Sequence, residues 1–271
     1  TTLFRSTQVV AGSVGTPTAT IISYGNDWYK ISFTTGTAVA LASGSGIGVS
    51  DAKGDPAVTT NGTDGVLVWG LQLEEGSYAT SLIPTSGSTV TRNQDIFTRD
   101  GIGSLINSTE GVLFVEMAAL SDDLSYRILS LSNGTSNERV YIQYTNVSNK
   151  IGVVVKEGGS TQANMSYVLS DETSFAKVAI KWKVNDFALW VNGFERDTDT
   201  LGNTPVGLNR LALDNGNSST GGNKFFGKVK QLQVYDTALT DEQLLQLTGE
   251  SGTDFYESYA EMASALTYTI Q

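Results

Sequence analysis

Short runs of alternating apolar residues recur along this chain, each closed by a cluster of Gly, Asn, Ser or Thr. That rhythm predicts many short strands joined by turns. In a strand successive side chains point to opposite faces, so the faces can be assigned from the sequence. Trp28-Tyr29-Lys30-Ile31-Ser32-Phe33-Thr34 puts Tyr29, Ile31 and Phe33 on one side and Trp28, Lys30 and Ser32 on the other. A second run from Val66 to Leu73 gathers Leu67, Trp69, Leu71 and Leu73 on one face, with Trp69 expected in a core. Further strands are expected at 111–117, 127–131, 140–144, 151–156, 176–184, 187–191, 210–213 and 225–235, a spacing that fits a two-sheet sandwich.

The fold class expected is all-β: two β-sandwich (jelly-roll) domains in tandem, with short C-terminal helices. At 271 residues the chain has room for both. Residues 1–92 are assigned to a first, N-terminally incomplete sandwich and 93–250 to a second, with the polar stretch Thr91 to Asp95 between them. Residues 251–271 form a tail in which Phe255, Tyr259, Met262 and Leu266 make one helical stripe. The opening segment already reads like the middle of a domain, so the expectation is the C-terminal part of a longer or processed protein.

Composition removes most chemistry. The chain has no His and no Cys, which excludes histidine-based triads, histidine metal sites, thiol nucleophiles, zinc-thiolate sites and disulfides. Its formal net charge of -11 opposes binding to nucleic acid. No apolar stretch approaches the roughly 20 residues that span a bilayer, and no signal peptide is read at the start. The sequons at Asn61, Asn107, Asn133, Asn146, Asn164 and Asn217 are read as a product of composition.

A hairpin around Asn185-Asp186 locates the first candidate site. With those two residues as the turn, Val184 faces Phe187, Trp182 faces Leu189 and Ile180 faces Val191, an apolar set that must be the core side. The other side then carries Lys183 beside Ala188 and Lys181 beside Trp190. A tryptophan on a polar face can stack on a ligand, or be covered by a loop or partner, or pair with Lys181. Val140, Ile142 and Tyr144 likewise share a core face and leave Tyr141 and Gln143 outside. The candidate ligand-binding residues are therefore Trp190, Lys181, Tyr141, Gln143 and Trp28. The loop Asp214-Asn215-Gly216-Asn217 offers hard oxygens, making Asp214, Asn215 and Asn217 candidate calcium ligands. Thr240 and Gln243 have capping-box spacing and predict a helix starting at Asp241.

Two resemblances add to this. Trp69 to Glu75, with Tyr78-Ala79-Thr80-Ser81, Ile83-Pro84-Thr85 and Val90-Thr91-Arg92, resembles the closing half of carbohydrate-binding-module-like jelly rolls in phage tail and fibre proteins. Lys177 to Lys183, Ala188 to Gly193, and the closing Gly227 to Tyr235 strand with its short acidic helix resemble laminin-G-like, concanavalin A-like sandwiches. The second resemblance implies a jelly roll whose relatives bind glycans or proteins, often with calcium. Glycosidases on that sandwich carry a Glu-x-Asp-x-x-Glu strand. This chain has none, and Glu116, the nearest candidate, stands alone. Together the resemblances imply a non-enzymatic virion surface protein, displaying a lectin-like module to host or environmental glycan. It would sit on the virion surface among other virion proteins, as a homo-oligomer. The alternatives are a purely architectural virion protein, a polysaccharide-degrading enzyme, and a secreted bacterial adhesin.

Overall fold

The computed structural model describes residues 18–35, 67–93 and 95–249. The chain divides into two compact units, Thr1–Gln94 and Asp95–Gln271. The expected tail helix lies outside the described residues.

In the first unit, β1 (Thr18–Gly25) and β2 (Trp28–Thr34) form an antiparallel hairpin in which Ile21 pairs with Ile31 and Ala19 with Phe33. Asn26 and Asp27 make the turn with positive φ, a conformation short Asx side chains tolerate. The strand expected at 66–73 is corrected: residues 67–73 carry no ladder, and Trp69 is 77% exposed rather than buried in a core. Alternation makes a strand only where a neighbour supplies hydrogen bonds, and among the described residues none pairs with this segment. Its polar side chains instead hold the next turn. Ile83 N donates to Gln72 Oε1 at 2.8 Å, and Thr80 N donates to Glu74 Oε1 at 2.6 Å. Alternate residues of the Gln72-Leu73-Glu74-Glu75 run thus point at the same downstream backbone.

The second unit is a sandwich of two antiparallel sheets. The five-stranded sheet runs in the order β11 (Phe194–Asp199), β10 (Asp186–Val191), β9 (Ala176–Lys183), β4 (Glu110–Ala119), β13 (Gly227–Tyr235). The six-stranded sheet runs β3 (Thr98–Asp100), β12 (Arg210–Ala212), β5 (Arg127–Ser132), β6 (Arg139–Tyr144), β7 (Lys150–Glu157), β8 (Ser160–Val168). Between them lies one core, to which β4 sends Leu113, Val115 and Met117, β9 sends Val178, Ile180 and Trp182, and β6 sends Val140, Ile142 and Tyr144. Gly111 is required by that core. A Cβ there would stand 2.5 Å from both the Trp182 ring and the Tyr235 carbonyl oxygen.

The hairpin register differs from the expected one. The two-residue turn is Val184-Asn185, so Phe187 pairs with Trp182, Leu189 with Ile180 and Trp190 with Ala179. Asn185 takes the turn's positive φ of 59°, which a short Asx side chain tolerates, but at the second turn position rather than the first, so the turn begins one residue earlier. Each partner is displaced by two positions. A two-residue displacement keeps every side chain on its face, so the face assignments hold while the pairs do not. Val184 leaves the core side and is exposed.

A helix, α1 (Asp241–Thr248), begins as the capping box predicts. Gln243 N donates to Thr240 Oγ1 and Thr240 N donates to Gln243 Oε1. The helix lies on the outer face of the five-stranded sheet. There Leu244 completes a second apolar cluster with Val112, Phe114, Ala179, Ala188 and Trp190.

Candidate functional site

That second cluster decides the position of Trp190. The indole is 6% exposed, covered by α1 and by neighbouring Leu239, Leu245 and Leu247. The expectation of an open Trp190 is therefore corrected: it faces away from the main core, but a helix takes the place of a ligand. Lys181 is not its partner either, since Ala179 stands opposite the indole. The Lys181 ammonium is buried and lies 2.7 Å from Asp186 and 3.9 Å from Asp241 at the start of α1. Neither side chain can be offered to a sugar while the helix is docked. Trp28 is 48% exposed but belongs to the β1–β2 hairpin of the first unit.

The remaining pair, Tyr141 and Gln143, lies on the opposite side of the sandwich. β5 and β6 pair so that Ile128 faces Gln143 and Ser130 faces Tyr141, while Leu129 and Ile142 turn inward. On the outer face Ile128, Tyr141 and Val154 from three adjacent strands form a small buried cluster, and the expectation of an open Tyr141 is corrected: its ring is 8% exposed, hardly more than Trp190. The Arg139 guanidinium lies 4.8 Å from the centre of the Tyr141 ring, within cation–π range. Burial pushes the Tyr141 phenol up, the Arg139 charge pulls it back, and nearby Tyr126 adds to the rise. Tyr126 continues the outward row of β5 one step beyond its end. Its ring is 42% exposed, and its hydroxyl donates to Asn146 Oδ1 at 3.0 Å.

The loop after β12 is laid over the far end of this face. Ser130 Oγ donates to the Asp214 carbonyl at 2.8 Å, Ser132 Oγ to the Gly216 carbonyl at 2.7 Å, and Arg139 Nη1 to the Asn215 carbonyl at 2.7 Å. Gly216 permits this approach, since its φ is 78° and a Cβ would stand 2.7 Å from Ser130 Oγ.

The calcium expectation is also corrected. Asp214 Oδ1 accepts from Gly216 N, Asn215 Oδ1 from Asn217 N, and Asn217 Oδ1 from Ser219 N. The loop is thus a run of Asx turns whose oxygens are aimed at their own backbone. Among the described residues no group of three or more Asp or Glu could hold a metal ion. The donor set does not fit the cation that the resemblance implied. Glu116, the nearest carboxylate to a hydrolytic role, is 2.9 Å from Lys230 Nζ.

Sequence reasoning placed Tyr141 and Gln143 on the outer face correctly and missed Tyr126 and Arg139. Both could have been reached by carrying the period of two one residue past each expected strand: back from Ile128, and back from Tyr141.

Residues 113–245 match the laminin G family described as the concanavalin A-like lectin/glucanases superfamily. This region is similar to concanavalin A-like jelly rolls. A search of the curated proteins found no match. Among solved structures, the leech intramolecular trans-sialidase complexed with 2,7-anhydro-Neu5Ac is similar at 22% identity, with a TM-score of 0.46. That match covers 57% of this chain and 25% of the leech chain. The CBM40 of Ruminococcus gnavus IT-sialidase is similar at 20% identity, over 53% of this chain and 84% of its own, with a TM-score of 0.46. The binding domain of botulinum neurotoxin serotype G is similar at 10% identity, over 56% of this chain and 39% of that one, with a TM-score of 0.43.

Proposed function

We propose that the second unit is a non-catalytic, lectin-like module that holds glycan on the outer face of its six-stranded sheet. The observation that carries this reading is the exposed Tyr126 ring, with the Arg139 guanidinium and Gln143 on the same face and the buried Tyr141 packed beneath Arg139 as support. A sugar presents an apolar C–H face and a rim of hydroxyls, so a binding site needs a ring to stack on and a few fixed polar groups. The matched superfamily is named for both lectins and glucanases. The lectin side is favoured because the chain lacks the Glu-x-Asp-x-x-Glu strand of the glycosidases on this sandwich and because Glu116 is engaged by Lys230. A glycan array run with the wild-type chain and with Tyr126→Ala tests the reading. Binding that falls about tenfold, or ~1.4 kcal/mol, in the variant supports it. A wild-type chain that binds no glycan favours the architectural alternative, and release of sugar from polysaccharide favours an enzyme.

The setting we propose is a surface appendage of a bacteriophage virion, with several copies acting together among other virion proteins. The phage-module resemblance of residues 69–92 supports this setting. Weak single-site contacts gain strength when linked, which is the reason to expect a homo-oligomer. An antibody against the chain should label the tail region of intact particles. Label on a bacterial surface without particles would point to the adhesin instead.

A further inference from the structure

At one end of the sandwich, three loops meet over a buried ion pair. They are residues 120–126 between β4 and β5, 145–149 between β6 and β7, and 169–175 between β8 and β9. Arg127 and Glu172 have side chains only 1% and 2% exposed there, with Tyr144 fully buried in the same region. One guanidinium faces two carboxylates. It sits 2.6 Å from Asp123 and 3.6 Å from Glu172, so Asp123 takes its charge. Glu172 Oε2, Arg127 Nε and Nη1, and the Tyr144 hydroxyl are buried with no hydrogen-bond partner. An ionised Glu172 would stand in that place without full compensation.

The backbone around Glu172 ties the loops together. Its N–H donates to Asn149 Oδ1 at 2.9 Å, and its carbonyl accepts from Ala119 N at 2.7 Å. Leu169 N donates to the Asn149 carbonyl at 2.7 Å, and Ser148 Oγ donates to Asp122 Oδ2. The charged and titratable groups acting on Glu172 are Asp122 and Asp123 from the first loop and Arg127 from β5. Tyr144 of β6 and Asp171 of its own loop lie close by.

We propose that Glu172 is a proton-operated latch on these three loops: uncharged, it lets them close, and ionised, it drives them apart to reach water, moving Tyr126 with them. Tyr126 is the chain neighbour of Arg127 and hangs from the second loop through Asn146. The latch rests on the packing of the fold; only its consequence for ligand binding rests on the glycan reading above.

The titration range follows from the surroundings. Burial foremost, then the charge of Asp122, pushes the Glu172 carboxyl up from 4.5 to about 7; Arg127 pulls it back and Asp123 adds to the rise. Between those two values the folded chain holds a proton that the unfolded chain releases. Stability therefore falls as pH climbs from 4.5 to about 7 and changes little beyond, as far as this group is concerned.

Amide hydrogen exchange of the full chain tests the latch at pH 5.5 and pH 8.5, with rates corrected for intrinsic base catalysis. Residues 120–126, 145–149 and 169–175 should open on the order of tenfold more at the higher pH, as expected for a carboxyl displaced by more than one pKa unit. In Glu172→Gln that difference should vanish. Equal protection at both pH values, or an unchanged difference in the glutamine variant, would overturn the latch. A second measurement stays available if the variant fails to fold. NMR titration of the wild-type Glu172 side-chain carboxyl carbon should show a midpoint near 7, and a midpoint near 4.5 would overturn the proposal. These readouts involve no ligand, so failure of the glycan reading leaves them intact.

Discussion

Trp190 shows how one residue can be read correctly as to face and wrongly as to role. The alternation of β10 demands that it point away from the main core, and it does. What alternation cannot show is that α1, fifty residues later in the chain, returns to cover it. The indole is therefore a packing residue, and its Nε1 is buried without a partner. Trp190→Ala should destabilise the fold by about 3–5 kcal/mol, the range for deleting a buried aromatic. Urea denaturation monitored by far-UV circular dichroism measures it. A cost below about 1 kcal/mol would mean that the helix does not seal this position. Lys181 teaches the same lesson from the polar side. It stands on the outer face as its place in β9 requires, but Asp186 and Asp241 engage its charge before any ligand can.

Among the elements, strands with strong apolar alternation were legible and those without it were not. β6, β7 and β9 each send three or more apolar side chains to the core and are evident from the sequence. β11, whose residues read Phe-Glu-Arg-Asp-Thr-Asp, is an edge strand with charged side chains, and no core-facing period marks it. β8 buries Ala163 and Met165 between polar neighbours, too weak an alternation to recognise alone. β3 has three residues and exists because β12 offers it a ladder. The helix was legible for a local reason, since a capping box needs only four residues. It carries a testable consequence. Thr240→Ala removes the side-chain acceptor for Gln243 N and should cost about 1 kcal/mol. Loosening of α1 should then let water reach the indole, shifting Trp190 fluorescence to the red when the other three tryptophans are replaced by phenylalanine. Unchanged emission would mean that the cap does not hold the helix down.

For the whole molecule, the sandwich and its helix follow from pattern, but the location of a ligand site does not. A two-sheet fold has two outer faces, and the sequence marks aromatic residues on both. Tertiary packing tells them apart: α1 closes the five-stranded face around Trp190, while the six-stranded face keeps Tyr126 accessible near Arg139, which is why the proposed site is put there. The proposed site, assembled from β6 and the residue before β5, has no contiguous signature, so neither Tyr126 nor Arg139 stands out in the sequence. The absence of histidine and cysteine, by contrast, bears on the whole chain and needs no structure to state. The most direct measurement is an NMR titration of the isotope-labelled chain with the glycan that binds best on an array. The account predicts shifts concentrated at Tyr126, Arg139, Tyr141 and Gln143, with the Trp190 indole resonance unmoved. Shifts centred on Trp190 and Lys181 would contradict it, because they would show the helix-covered face to be the one that opens to sugar.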